Sequence, residues 1–356
     1  MRFLEMTCRN FRCLADFGIE PGPGINVIRG RNAQGKTSIL EAALYAATSK
    51  SHRTSLESDL TAKGAEGFSV RVRAETSDRS VDVEAYYHRG AKRFKVNGAA
   101  QTRLSDILGK LSVVLFTPED IALAKGAAAV RRTFLDMELS QLSPRYLHAL
   151  QEYRHTLRQR NEALRVPKQD RALVEVWNAR LALHGETLIS ERNAYVEEAS
   201  GAASRVYAQI ADDEQFSVAY RPDVAPGERF VEVLASSLDS DMRRGTTQRG
   251  PHRDDLELLV AGEKARSRAS QGQQKSAALA LKLGHVNVVH GRTGEFPVLM
   301  LDEVLSELDD QRARRLFDAI DSRVQCLITT TDVENRKGVF RDTDRYYTIE
   351  HGRLLP

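Results

Sequence analysis

The segment Gly30-Arg31-Asn32-Ala33-Gln34-Gly35-Lys36-Thr37 narrows what this chain can fold into more than any other stretch. It meets GxxxxGK[ST] at every fixed position, and the pattern has a mechanical reason. Glycines let the backbone curl so that successive amide NH groups point inward at phosphate oxygens, and the positive end of the following helix adds its field. The flanks agree with this reading. Ile25 to Ile28 is an apolar strand signal, and Ile39, Leu40, Ala43, Leu44 and Ala47 recur at helical intervals, so a helix is expected to pack by one stripe on the preceding sheet. In this loop Gly30, Arg31, Asn32, Ala33, Gln34 and Gly35 form the cradle and Lys36 bridges the β and γ phosphates. Thr37 offers a hydroxyl to Mg²⁺, and Ser38 caps or packs the helix.

Two acids complement the loop. Pro297-Val298-Leu299-Met300-Leu301 is a continuous apolar run, as expected of a strand buried on both faces, and it ends in Asp302-Glu303. Beside a phosphate loop, Asp302 is the candidate for the Mg²⁺ shell and Glu303 the candidate base or positioner of an attacking water. In Ser306-Glu307-Leu308-Asp309 the last residue fits an N-cap of a helix from Asp310 to Ile320. Ser270, in Ser270-Gln271-Gly272-Gln273-Gln274-Lys275, stands before another helix and fits the same role.

The rest of the chain arranges itself around these elements. Alternation at Leu4, Met6 and Cys8, then at Phe17 and Ile19, predicts an antiparallel strand pair. Period-two alternation returns from residue 68 to 97 and closes on Asn97-Gly98, a hairpin dipeptide, which predicts an antiparallel β arm. After Leu111 to Phe116, Pro118 ends a strand and a helical stretch follows, with breaks expected near Pro144, Pro167 and residues 221 to 227. Its longest helix, from about Arg171 to Ile210, would run roughly 60 Å, with Gly185 and Gly201 as weak points. Strand signals resume after residue 250, at Leu256 to Val260, Val298 to Leu301, Gln325 to Ile328 and Tyr346 to Ile349, so the first fold is re-entered and the helical lobe is an insertion. The division expected is 1–117 and 286–356 for an α/β lobe and 118–285 for a helical lobe that includes the Ser270 segment. With 41% hydrophobic residues the chain can build sizeable cores, yet no window nears the ~20 uninterrupted apolar residues of a membrane helix. Charges in MRFLEMTCRNFR and the three unpaired cysteines favour the cytoplasm. A net charge of +3 permits nucleic-acid binding without demanding it.

The order of the motifs resembles the ABC ATPases: a phosphate loop near the N-terminus, Ser-x-Gly-Gln before a helix, then an apolar-Asp-Glu strand and Ser-Glu-Leu-Asp. Within that superfamily the chain resembles the RecF family over essentially its whole length. The resemblance rests on Asn10-Phe-Arg12, Gly35 to Glu41, Lys125-Gly126, Arg131 to Asp136, Gly250 to Asp255 and Ser270 to Lys275. It implies an α/β ABC-type P-loop ATPase head, a mixed sheet with an antiparallel β arm, carrying an inserted helical lobe. It implies ATP and Mg²⁺ as cofactors, and Ser270, Gly272 and Gln273 completing the ATP site of a second subunit. Asp309 would then stand at the boundary of an ATP-dependent homodimer. It further implies work on DNA with RecR, and indirectly RecO and RecA, in repair, replication restart and the SOS response, with no membrane association. Two departures from the wider ABC pattern point to weak hydrolysis: Ile328-Thr329-Thr330-Thr331-Asp332 carries no switch histidine, and no Q-loop glutamine stands near Phe116 to Asp120.

Candidate DNA contacts are Arg53, Arg131 and Arg132. For Lys50, His52 and Arg53 two readings stay open, contact with nucleotide or DNA and an ordinary solvated loop. Arg154, Arg158 and Arg165 recur at helical spacing and suit phosphates, but Glu152 and Glu162 suit an exposed face. His252 with Asp254 and Asp255 matches no standard metal spacing and fits a structural network better. Trp177 and Leu181 fit core positions rather than stacking platforms. Three rival readings share parts of this pattern: a transporter nucleotide-binding subunit, a chromosome-organising SMC-type head and a scaffold that binds ATP without hydrolysing it. The insertion is far too short for SMC arms.

Overall fold

The computed structural model describes residues 1–166, 169–211, 214–331, 340 and 343–355. Pro167 and Asp332 lie outside them. By contacts the chain forms two compact units, one of residues 1–121, 202–214 and 278–356, the other of 122–201 and 215–277. Residues 118–121, 202–214 and 278–285, inside the expected helical lobe, are therefore counted with the first unit.

The first unit opens with strands β1 (Arg2–Phe11), β2 (Leu14–Ile19) and β3 (Ile25–Arg29), then helix α1 (Lys36–Thr48). The β arm follows as β4 (Gly67–Glu75), β5 (Ser80–His88), β6 (Ala91–Val96) and β7 (Ala99–Gln101), and β8 (Val113–Phe116) comes next. The arm joins the opening hairpin in one antiparallel sheet of order β2-β1-β4-β5-β6-β7. Asn97 and Gly98 make the β6–β7 turn with φ of 51° and 79°, the positive pair that a tight hairpin turn needs. Every residue of α1 except Thr37 is buried. The helix packs on β1, β4 and β5 at one side and on strands of a second sheet at the other. The expectation of a single packing stripe is thus corrected: Ala42, Ala43, Ala46 and Ala47 are small enough to be covered from both sides.

The second unit is built from α2 (Ala122–Lys125), α3 (Ala128–Leu142), α4 (Pro144–Arg165), α5 (Arg171–Ile210, its last turns counted with the first unit), β9 (Phe216–Arg221) and α6 (Phe230–Arg244). It continues with β10 (Asp255–Val260), β11 (Glu263–Lys264), α7 (Ala265–Arg268) and the start of α8 (Gln271–Thr293). Ser143 caps α4, accepting from the Tyr146 amide at 3.1 Å, with Pro144 in the first turn. Two expectations are corrected here. Helix α5 is unbroken over 40 residues, because Gly185 is a packing contact rather than a hinge: a Cβ there would lie 2.5 Å from the Phe230 ring. Strand β10 does not re-enter the first fold but pairs with β9 and β11 in a separate antiparallel sheet, and β9 was not anticipated.

The chain completes the first unit with β12 (Val298–Asp302), α9 (Asp310–Ala319), β13 (Cys326–Thr330), β14 (Arg345–Glu350) and β15 (Arg353–Leu354). The resulting sheet has the order β15-β14-β3-β13-β12-β8, and all its pairings are parallel except β14 with β15. β12 and β13 are buried at every residue, which is why each opens on an apolar run, 298–301 and 326–328, before its polar end. Thr329 pairs with Ile28 on one side and Asp302 on the other, so the ends of three strands meet at one edge.

Candidate nucleotide site

At that edge the glycine loop leaves β3 and enters α1. Gly35 has φ of 108°, and a Cβ there would lie 2.9 Å from Cys13 Sγ; Ala33 also takes a left-handed conformation, at 62°. Lys36 Nζ is tucked beneath the loop. It donates to the carbonyls of Gly30 at 2.9 Å and Arg31 at 3.0 Å and pairs with Glu303 Oε1 at 3.0 Å. Thr37 Oγ1 donates to Asp302 Oδ1 at 3.0 Å, and Thr329 Oγ1 donates to the same oxygen at 2.6 Å. Burial raises the Asp302 carboxyl above its ordinary range, the two hydroxyls pull it back, and the neighbouring Glu303 charge pushes it further up. A divalent cation would relieve that cost, and Thr37 and Asp302 are the residues placed to hold one. Ser38 is buried against Cys13, its Oγ 3.7 Å from Sγ, so it packs.

Glu303 departs from the strand with φ of 48°, unusual for a residue with a Cβ, while its amide donates to Thr329 Oγ1 at 3.0 Å. Thr329 thus ties both acids to β13. It was not singled out from sequence, although a threonine ending a buried apolar strand is the signal that marks it.

A cleft of about 670 Å³ opens beside the loop, walled by Lys36, Thr37, Glu303, Arg12, Cys13 and Thr61 among others. Arg12 was legible only as part of a motif. It holds the wholly buried Glu41 through Nε at 3.0 Å and Nη2 at 2.8 Å, and its Nη1 reaches the Asp59 carbonyl. Burial alone would raise the Glu41 carboxyl, but hydrogen bonds from Arg12 and Ser51 leave it below its ordinary value. Arg53 lines the same cleft, half exposed, with Nη1 3.7 Å from Glu41. Thr61 Oγ1 is buried without a hydrogen-bond partner, a polar atom available to whatever fills the cleft. Together the curled loop, the ammonium beneath it, the hydroxyl–carboxylate pair and this orphaned hydroxyl fit a nucleoside triphosphate with its metal.

The remaining candidates fall elsewhere. Ser270, Gly272 and Gln273 belong to the second unit, at the start of α8. Ser270 and Gln273 form a reciprocal cap, Gln273 N donating to Ser270 Oγ at 3.2 Å and Ser270 N to Gln273 Oε1 at 2.8 Å. Asp309 caps α9 by accepting from the Arg312 amide at 2.9 Å and is exposed. The assignment of Arg131 to DNA is corrected. Its side chain is 4% exposed, forks onto both oxygens of Asp255 at 2.6 and 2.9 Å, and donates to the Leu123 and Gly126 carbonyls. Arg132 is half-buried and donates to the Asp254 carbonyl at 2.8 Å, so it too turns inward. His252 is held between Tyr153 and the Thr247 carbonyl, and Asp254 binds Arg192 at 2.6 Å, in line with a structural network.

A parallel sheet whose glycine loop, buried helix and paired acids converge in this way defines a P-loop ATPase head of the ABC type. The DNA replication and repair proteins RecF of Geobacillus kaustophilus and Listeria monocytogenes are 36% and 38% identical to the chain, covering 99% and 93% of it and the same shares of their own lengths. The chain belongs to the RecF family. Residues 5–164 match the AAA domain family. A solved structure of the recombination mediator protein RecF with ATP, from the RecFOR pathway, superposes with a TM-score of 0.90 at 33% identity, covering 99% of this chain and 96% of that one. The Smc head domain of Pyrococcus furiosus bound to the C-terminal domain of ScpA gives 0.59 at 16% identity over 99% and 95%, a likeness of fold alone.

Proposed function

We propose that this chain is an ATP-dependent dimerising switch that acts on DNA in recombinational repair, working with RecR and RecO to load RecA at single-strand gaps. Replication restart and the SOS response would depend on that loading. The observation that carries the reading is the meeting of Lys36, Thr37, Asp302 and Glu303 at one edge of one sheet. Bound there, ATP with Mg²⁺ supplies the transferable phosphoryl group and the charge that neutralises it. Lys36 exchanges Glu303 and two carbonyls for phosphate oxygens. Thr37 and Asp302 would hold the cation, and Glu303, once released from the ammonium, would take a proton from the attacking water. Ser270, Gly272 and Gln273 of the partner subunit would complete each site, with Asp309 at the subunit boundary, so that ATP binding closes the dimer and slow hydrolysis opens it. The names of the RecF relatives and the ATP-bound RecF structure support the repair and nucleotide parts of this reading.

Analytical ultracentrifugation with and without ATP and Mg²⁺, repeated with a short gapped duplex, tests the central step. The wild type is expected to pass from monomer to dimer only with ATP, and a Ser270→Arg variant to stay monomeric. A wild type whose sedimentation ignores ATP overturns the reading.

A further inference from the structure

The first unit holds a second cavity, of about 750 Å³, within the ~300–1,000 Å³ range of small-molecule sites. Its apolar wall is made by Tyr45, Leu60, Phe94 and Ile107, all at most 5% exposed. Lys50, Arg53, Lys92 and Arg103 line it too, and among the described lining residues Glu57 is the sole acid, already paired with Lys92 at 2.8 Å. The wall therefore carries a net positive charge.

Two buried polar atoms belong to residues of this wall and have no hydrogen-bond partner: Tyr45 Oη and His52 Nδ1. The Tyr45 ring is fixed by Phe68 at 5.3 Å and Phe94 at 5.8 Å between centroids, so its hydroxyl is held in place by rigid neighbours. Burial lowers the His52 pKa, against the opposing charges of Glu41 and Asp302, so the imidazole presents a neutral edge. Buried polar atoms are nearly always paired, and two orphans in the wall of one cavity need a common explanation.

We propose that this cavity is a second ligand site that takes one nucleoside phosphate. The heteroaromatic ring would lie against Tyr45 and Phe94, its polar edge on the Tyr45 hydroxyl and the His52 imidazole, and its phosphate on Arg53, Lys92 and Arg103. An aliphatic ligand would leave both orphans unpaired, and a bare inorganic anion would leave the apolar wall wet; a ring bearing a phosphate satisfies both. Two sources carry this chemistry, a free nucleotide and an unstacked nucleotide of a DNA strand. Only the second rests on the DNA-acting function proposed above. Arg53 also lines the phosphate-loop cleft, so one side chain serves both walls.

The test uses the full chain with one equivalent of ATPγS, which fills the phosphate-loop cleft without flooding a second nucleoside-phosphate site, and two photoreactive probes: 5-iodo-2′-deoxyuridine 5′-monophosphate and a single-stranded 12-mer with one internal 5-iodouracil. Irradiation followed by peptide mass spectrometry is expected to place adducts on peptides containing Tyr45, His52 or Phe94. Tyr45→Phe, which removes one oxygen from a packed ring, and Arg103→Gln, at the cavity's cationic wall, are each expected to weaken binding of the reactive probe about fivefold. Adducts from the monophosphate alone assign a free nucleotide, and adducts from the strand alone assign DNA. A strand that binds but reacts only elsewhere, with no monophosphate adduct, overturns this inference and leaves the DNA reading standing. Monophosphate adducts with no strand binding do the reverse. Unchanged affinity in both variants, or no adduct at these peptides with either probe, also overturns it.

Discussion

The phosphate-loop cleft and the arginine network of the second unit spend the same kinds of side chain to opposite ends. In the cleft Lys36 is buried but its partner Glu303 remains 22% exposed, and Arg53 is half in solvent. In the network Arg192 binds Asp136 at 2.8 Å, Asp254 at 2.6 Å, Tyr146 at 3.0 Å and the Pro251 carbonyl at 2.7 Å, while Arg160 and Asp241 meet with neither exposed. The first set of ions has one side open and partners that a ligand can replace. The second is shut from solvent, with Arg160 Nη2 left unpartnered inside it, and admitting a ligand would strand a buried charge. Burial and charge together therefore do not mark a site; the open side does.

The comparison breaks hardest at Arg192. Replacing it by Met leaves the buried Asp254 without its cation, while Asp136 keeps Arg154 at 2.6 Å, and urea unfolding should show a loss of about 3–5 kcal/mol. A loss under about 1 kcal/mol would mean that the network is not closed. In the cleft, Glu303→Gln should leave the unfolding midpoint in place while ATP turnover falls about 100-fold, about 2.7 kcal/mol in the barrier. A variant that hydrolyses ATP normally would remove Glu303 from the chemistry.

Proton titration draws the same contrast more finely. Burial lowers His252 to about 4, so the unfolded chain binds a proton near pH 6.5 that the folded chain refuses until about pH 4. Stability from this residue is complete above pH 6.5 and is lost as pH falls toward 4, by about 2 kcal/mol once its partly exposed edge is allowed for. Melting curves of the wild type and His252→Gln across that window should differ in slope. Equal slopes would place the acid sensitivity elsewhere. The smallest effect separates two roles of one hydroxyl. Ser270→Ala should cost about 1 kcal/mol through the lost cap, whereas Ser270→Asp, a good capping residue, should cost a few tenths at most and yet abolish ATP-dependent dimerisation. Dimers of Ser270→Asp would reduce Ser270 to a cap.

How far the sequence revealed this molecule depended on the range of the interactions involved. The loop from Gly30 to Thr37, the Val298–Asp302 strand and the Asn97-Gly98 turn are governed by neighbours a few residues away, and each was legible. Strand β9 alternates at Phe216, Val218 and Tyr220, a signal present but short beside long helical patterns. Gly185 looked like a break because its reason for being glycine, the Phe230 ring, lies 45 positions on. Arg131 looked like a surface cation because Asp255, which neutralises it, is 124 residues distant. Thr329 and Arg12 join the site through register and a turn, neither of which leaves a spacing rule behind.

Helix α1 has a mechanical consequence of its own. It is gripped by a sheet on each side along its whole length, so it cannot bend or roll without carrying both sheets with it. Thirteen residues make a strut of about 20 Å. The phosphate loop sits on its first turn and Tyr45 on its last, so the two ends share one rigid support.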